Sequence, residues 1–255
     1  MLLKIGFPSI RSIKLHHDDP EVFLKSQWQK SAKSWIFLTY RWTICAFFMF
    51  VLAYSLLQDP TTIAYFFIYL TNIGILLVTL FTLYAAIIST LYHFDIIKIE
   101  AASLSYKLFW VVSNMSIVLA FMITIVYWSA LYDWNSGTLT LHDFLIHSSN
   151  SIFMFIEICV VSHPIHLLHF IYPIAGGLCY LVFSLVYFYS GGTDAIGRDY
   201  IYSILNWNYP GQTTIVCIFV AVLIILLQCF ATLCQLTRTK FYNFLTEKEY
   251  SFTRP

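Results

Sequence analysis

Long apolar windows alternate with shorter polar stretches along the 255 residues of the chain. Each window holds about 20 residues almost free of charge, enough for a helix to cross a hydrocarbon core of roughly 30 Å at about 1.5 Å per residue. Six windows meet this criterion, near residues 35–57, 64–90, 109–131, 144–163, 169–190 and 214–236. The pattern predicts an all-α polytopic membrane protein whose six transmembrane helices form one bundle.

The windows divide the chain into an N-terminal segment at 1–34, a transmembrane domain at 35–237 and a tail at 238–255. Of the fourteen Lys and Arg residues, six precede the first window, two lie between the second and third, and four follow the last. Only Arg198 falls in a loop on the opposite side. Because Lys and Arg concentrate in cytoplasmic loops, we predict that both termini are cytoplasmic. The expected membrane is the plasma membrane or the endoplasmic reticulum.

Composition supports a membrane protein, since 59% of the residues are hydrophobic and only 11% are charged. The net charge of +1 comes with no basic track that could follow a phosphate backbone. Nucleic acid is therefore excluded as a partner, and no obligate protein partner can be identified.

Four polar residues within the windows fall at a similar depth toward the cytoplasmic face. Arg41 lies about 9 Å above the inner boundary and Glu157 roughly 20 Å below the outer one, as judged from helical rise. Asn114 and Gln228 fall in the same layer. We predict an Arg41–Glu157 ion pair whose hydrogen bonds the two amides complete, because an unpaired charge at that depth costs at least ~2.5 kcal/mol. An architectural role is favoured over a proton or ion pathway in a small transporter, which no inverted repeat supports.

A second polar layer lies in the outer half and contains Thr71 and His147. Thr71 lies about 10 Å below the outer surface and His147 about 5 Å below it, so the two side chains could meet. Asn72 is adjacent to Thr71, and Asp143 and Asn150 share the helical face of His147 and could hold its ring in one tautomer. A neutral histidine can accept the proton of a threonine nucleophile, although no oxyanion hole is evident. Alternatively, Thr71 bonds its own helix and His147 reaches toward the headgroups.

Three further histidines, His163, His166 and His169, follow one another at three-residue spacing in "SHPIHLLH". They could ligate a zinc ion. A di-iron site of the kind found in membrane enzymes would need more histidines than this set provides. We predict no metal and no cofactor. Pro164 is expected to break the fourth helix, leaving the histidines in a tight turn at the cytoplasmic interface.

Two long segments have distinctive sequences: "FFIYLTNIGILLVTLFTLY" at 66–84 and the run from "NSIFMFIEICVVSHP" at 150 to "YIYSILNW" at 207. Both resemble the rolling stone family of animal multi-pass membrane proteins. The resemblance covers most of the chain and implies a role in myoblast fusion, with no established chemistry.

Two short motifs carry a more distant likeness: "YLT", which ends at Thr71, and "HSSNSIFMFIE", which runs from His147 to Glu157. They resemble motifs of the androgen-induced and androgen-dependent transmembrane hydrolases, which cleave fatty-acid esters of hydroxy fatty acids. The resemblance implies that Thr71 is the nucleophile, that His147 is its base, and that a membrane lipid or lipid ester is the partner. Ser148 and Ser149 after the histidine, and Asn72 after the threonine, depart from those enzymes and leave the substrate open. A threonine-dependent lipid-ester hydrolase is the leading hypothesis, with a non-enzymatic fusion protein and a small transporter as alternatives.

Overall fold

The computed structural model describes residues 15–58, 60–97, 103–135 and 138–253. Within these ranges the chain is helical, with no strand beyond two isolated bridges. The α-helices are α1 (Trp35–Gln58), α2 (Leu70–His93), α3 (Ser103–Val126), α4 (Leu141–His147), α5 (Ser149–Val160), α6 (Ile171–Tyr189) and α7 (Pro210–Thr253). Short 3-10 helices span Pro20–Leu24, Pro60–Ile68 and Leu167–Phe170, and a π-helical turn at Tyr127–Leu131 extends α3.

Six segments are long and apolar enough to cross a membrane, which confirms the predicted all-α bundle of six crossings. They are Trp35–Leu57, Leu70–His93, Ser105–Leu131, Leu141–Val160, Leu167–Tyr189 and Pro210–Glu247. The second crossing begins later than the window at 64–90 because residues 60–68 form a separate 3-10 helix. The last helix passes residue 237 without a break, since no Gly or Pro interrupts the sequence between residues 212 and 253.

The fourth crossing consists of two helices, α4 and α5, that meet at Ser148. The expectation that His147 and Glu157 lie on one continuous helix was therefore wrong. Side-chain hydroxyls donate hydrogen bonds to the carbonyl groups around the break. Ser149 Oγ donates to Leu145 O at 2.5 Å, and Thr124 Oγ1 donates to His147 O at 2.6 Å. Such bonds compete with the backbone ladder of a helix, so the run of small polar residues allows the break.

Both ends of the described chain lie at one end of the bundle, which we call the inner end. There the segment before α1 crosses the turn after α5, with Gln27 N donating to Val160 O at 2.9 Å and Ser162 Oγ to Val22 O at 2.6 Å. The ring of Trp28 packs 6.2 Å from that of Phe241 on α7. The opposite, outer end carries residues 60–68, 132–135, 138–140 and 190–209.

Candidate active site

An apolar cavity of about 570 Å³ lies in the outer half of the bundle. It is bordered by α2, α3, α6 and α7, and residues of the loop between α6 and α7 line its outer end. Its volume falls within the roughly 300–1,000 Å³ typical of small-molecule sites. Most of its wall is aliphatic, and residues that carry a hydroxyl group line it at four positions. These are Thr71, Tyr127, Tyr180 and Tyr202.

Thr71 occupies the second position of α2 and borders the cavity. Its backbone N–H lies 3.5 Å from the Tyr202 hydroxyl, which also hydrogen-bonds the Thr71 side chain. Burial raises the pKa of Tyr202, although the hydrogen bonds with Thr71 act in the opposite direction. The Tyr202 hydroxyl is therefore protonated at neutral pH and can donate a hydrogen bond at the polar end of the cavity.

His147 is the last residue of α4 and lies flat against Tyr127. The two ring centroids are 3.3 Å apart and the rings are nearly parallel, at 6°. His147 Nδ1 is buried and has no hydrogen-bond partner. Since Tyr127 borders the cavity, it connects the imidazole to the cavity wall. In the described part of the chain, no hydrogen bond joins Thr71 directly to His147.

A hydrophobic contact between α2 and α4 brings these two residues to the same region. Ile75, one turn after Thr71, belongs to a buried cluster with Leu145 and Ile146, the latter adjacent to His147. Helix α3 approaches α2 at Gly74, where a Cβ atom would collide with Ile123. The absence of a side chain at Gly74 thus lets the helix that carries Tyr127 pack closely against the helix that carries Thr71.

The three predicted supporting residues bind groups other than the His147 ring. Asp143 accepts a hydrogen bond from the Tyr127 hydroxyl at 2.6 Å and caps α4 together with Thr140. Asn150 Nδ2 donates to the Ile146 carbonyl at 2.9 Å, and Asn72 Nδ2 to the Phe66 carbonyl at 3.1 Å. The expected hydrogen bonds from Asp143 and Asn150 to the imidazole are therefore not formed. Asp143 acts indirectly, by orienting the tyrosine on which His147 stacks.

The inner polar layer contains the predicted ion pair. Arg41 Nη1 lies 2.6 Å from Glu157 Oε1, and the two side chains are only 3% and 1% exposed. Tyr40 donates its hydroxyl to the second carboxylate oxygen at 2.7 Å. The guanidinium carbon lies 4.7 Å from the centre of the Phe37 ring. Hydrogen bonds on both carboxylate oxygens and the Phe37 ring thus replace part of the solvation that the two charges lose, while Arg41 Nε and Nη2 have no hydrogen-bond partner among the described residues.

The amides of Asn114 and Gln228 do not complete this ion pair, contrary to prediction. Gln228 Nε2 donates to Asn114 Oδ1 and to the carbonyl of His166, both at 2.8 Å. Asn114 Nδ2 donates to the carbonyl of His169 at 3.2 Å. The two amides therefore fasten the turn between α5 and α6 to α3 and α7.

This turn is folded into the bundle, so the prediction of a turn lying in the membrane interface was wrong. His163 and His169 are buried, and Arg238 of α7 donates to the carbonyls of Ile158 at 2.7 Å and His163 at 3.2 Å. Because these donors satisfy the backbone carbonyls, the turn can be buried. Across the described residues, no three His, Cys, Asp or Glu side chains lie close enough together to hold a metal ion.

The sequence analysis missed Tyr202 and Tyr127, which contact Thr71 and His147, respectively. Tyr202 lies in a loop more than 130 residues from Thr71, and one Tyr among 18 carries no distinguishing pattern. For Tyr127 one signal was available: it lies 16 residues before Asp143, at the outer end of a neighbouring crossing. Equal depth could have paired these two residues, as it paired Arg41 with Glu157.

Six apolar crossings, four of which border an apolar cavity that Thr71 also lines, define a multi-pass membrane protein. The family described as Protein rolling stone matches residues 12–247 of this chain. Protein rolling stone of Drosophila melanogaster is 32% identical over 215 residues, which cover 80% of this chain and 78% of the relative. No solved structure shows a significant match. The chain belongs to the rolling stone family.

Proposed function

We propose that this protein binds a membrane lipid ester in the cavity and hydrolyses it through an acyl intermediate on Thr71. The observation that carries the proposal is the position of Thr71, which lines an apolar cavity of about 570 Å³ and whose side chain hydrogen-bonds the hydroxyl of Tyr202. An acyl chain would fill the aliphatic part of the cavity, and the ester carbonyl would lie against the two hydroxyls. Fatty-acid esters of hydroxy fatty acids are the substrate class that the resemblance suggests.

In the proposed reaction, the Thr71 oxygen attacks the ester carbonyl carbon while its proton passes to His147, directly or through one water. The carbon–oxygen bond to the alcohol breaks, and His147 returns the proton to the departing alcohol. Water then attacks the acyl-threonine, again with His147 as the base, and releases the fatty acid. The Tyr202 hydroxyl donates a hydrogen bond to the carbonyl oxygen as negative charge develops on it.

The position of His147 supports its role as the base in this reaction. Stacking on Tyr127 fixes the plane of its ring, and the buried Nδ1 atom has no competing hydrogen bond. Catalytic hydrogen bonds commonly shorten only when substrate binds. A substrate carbonyl between Thr71 and Tyr202 would have that effect here, because it would compete for the Tyr202 hydroxyl and free the Thr71 side chain to turn toward His147.

The same proposal includes an orientation. We place the inner end of the bundle in the cytoplasm, because Lys25, Lys30, Lys33, Lys107 and Lys240 lie on that side whereas Arg198 belongs to the outer loop. The site would then open in the outer half of the membrane. A role in cell fusion stays a prediction from the family resemblance.

Hydrolysis is tested by comparing two threonine variants of α2. The purified protein in nanodiscs is supplied with a fatty-acid ester of a hydroxy fatty acid and, separately, with a fluorophosphonate probe. We expect Thr71→Ala to lower turnover by at least about 10³-fold, as for loss of a nucleophile, and to abolish labelling. Thr79→Ala is the matched control, because Thr79 bonds the Ile75 carbonyl of the same helix and does not border the cavity. Equal turnover and labelling in the two variants would refute the proposal.

A further inference from the structure

Three helices form the inner boundary of the cavity. The innermost lining residues are Met115 on α3 and Ile224 on α7, and on α6 the lining reaches Pro173, about one turn deeper than the Gly176 that meets Met115. The amide pair lies on the inner side of Met115 and Ile224: Asn114 precedes Met115, and Gln228 follows Ile224 by one helical turn. The hydrogen bond between α3 and α7 therefore stabilises this wall of the cavity.

Met115 and Gly176 meet at this wall, which we call the cavity floor. A Cβ atom added to Gly176 would lie 2.9 Å from Met115 Cε, too close without displacing the methionine. A Cβ atom on the neighbouring Gly177 would lie 3.8 Å from Ile224 Cδ1, an ordinary contact. The missing side chain at Gly176 thus leaves the space in which the end of Met115 rests.

Thr71 and Tyr202 mark the polar end of the cavity, which lies near the level of Tyr127 at the outer end of α3. From Tyr127 to Met115, α3 descends twelve residues, or about 18 Å at helical rise. Both residues border the cavity, and the lining between them is Val118, Leu119, Met122, Ile123 and Val126. A space that is long, aliphatic and polar at one end fits a single extended acyl chain, with its carbonyl at Thr71 and its methyl end at the floor.

We propose that the floor formed by Met115 and Gly176 selects the length of the acyl chain that the cavity accepts. The inference rests on the proposed function in one respect: the carbonyl group of the acyl chain is taken to lie at the Thr71 end of the cavity. Each methylene that enters the cavity from water should strengthen binding by about fourfold, the ratio that corresponds to ~0.8 kcal/mol per buried CH₂. Once the methyl end touches the floor, a further methylene has no space, and the gain should stop.

The test measures this limit directly. The protein is held in amphipol, so that ligands bind from water, and a series of unbranched saturated fatty acids that differ by single methylenes displaces a fluorescent fatty acid. For the unmodified chain we expect affinity to rise about fourfold per methylene and then to level off at one chain length. Gly176→Val should shift that limit to shorter acids by pushing Met115 into the cavity, and Met115→Ala should shift it to longer ones.

Ala175→Val is the matched control, because it enlarges the preceding side chain of the same helix, and Ala175 is exposed and does not line the cavity. It should keep the limit at the length found for the unmodified chain. Two variants that shift the limit in opposite directions cannot both be explained by misfolding. A series without a limit, or the same limit in Gly176→Val and Met115→Ala, would overturn the inference.

This outcome is independent of hydrolysis. If the limit moves as stated while Thr71→Ala still hydrolyses ester at the normal rate, the proposed function fails and the length selection stands. If Thr71→Ala is inactive and the limit does not respond to either substitution, the hydrolase stands and the floor does not select.

Discussion

The two polar regions of the bundle use their buried polar groups differently. In the inner half, Arg41 binds Glu157, Gln228 binds Asn114, and the two amides also bind nearby carbonyls. In the outer half, Thr71 and Tyr202 line a cavity of about 570 Å³. The inner region favours an architectural role over the transporter hypothesis, because its ion pair joins α1 to α5 and its amide pair joins α3 to α7.

The difference shows why a polar residue in a membrane span is insufficient to assign a site. Both regions hold residues whose transfer to hydrocarbon is unfavourable without partners. The outer region combines such residues with unfilled apolar space that a ligand could occupy. Substitutions should therefore affect mainly stability in the inner region and mainly ligand chemistry in the outer one.

The largest effect on stability is expected for Glu157→Gln. It leaves the buried Arg41 charge without its counter-ion, which should lower the free energy of unfolding by about 3–5 kcal/mol. Unfolding of the purified protein in mixed detergent micelles measures the change. The control is Glu21→Gln, which breaks a partly exposed ion pair with Lys25 and should cost no more than about 1 kcal/mol. Equal losses in the two variants would show that the inner pair does not stabilise the bundle.

Tyr202→Phe tests the outer region with the smallest structural change. The ring that closes the cavity is kept, and only the hydroxyl beside Thr71 is lost. Turnover of the ester should fall about 10²-fold, the lower value for loss of one oxyanion donor, while unfolding shifts by no more than about 1.5 kcal/mol. Tyr187→Phe is the control, since the Tyr187 hydroxyl donates to the Thr193 carbonyl of the outer loop and Tyr187 does not line the cavity. A smaller loss of turnover in Tyr202→Phe than in Tyr187→Phe would contradict the assignment.

The smallest effect is expected at Asp194, which orders the loop over the cavity. Burial alone would raise the pKa of this carboxyl, but hydrogen bonds from Arg198, with its charge, and from the Ile196 amide outweigh burial and lower the pKa. The carboxylate therefore stabilises the loop above its unfolded pKa of about 3.9, and this contribution is lost as pH falls through the lower folded value.

Hydrogen-exchange protection of the loop at 190–209 should accordingly decrease below about pH 4. In Asp194→Asn the protection should already be reduced at neutral pH, with no further step. Asp199→Asn is the matched control, because Asp199 accepts only from Asn208 among the hydrogen bonds described for its side chain, and it should retain the acid step. An acid step that persists in Asp194→Asn would assign the effect to another group.

Several features of the protein follow from the sequence alone. The spacing of apolar windows predicted six crossings, because hydrocarbon thickness and helical rise together fix the length of a transmembrane helix. Depth along the predicted helices paired Arg41 with Glu157, because two opposite charges at one level in a membrane have few other partners. The rolling stone resemblance, carried by residues 66–84 and 150–207, agrees with the family match over residues 12–247.

Other features depended on contacts between residues far apart in the chain. The break after His147 depends on Thr124 of another helix, and the buried turn at 161–166 depends on donors from Arg238 and Gln228. The cavity and the position of Tyr202 beside Thr71 arise where α2, α3, α6, α7 and the outer loop meet. Sequence patterns determine which segments enter the membrane, because partition into hydrocarbon is a local property. Tertiary contacts decide whether the space between those segments is filled by side chains or left as a cavity, because that outcome depends on which side chains pack against one another.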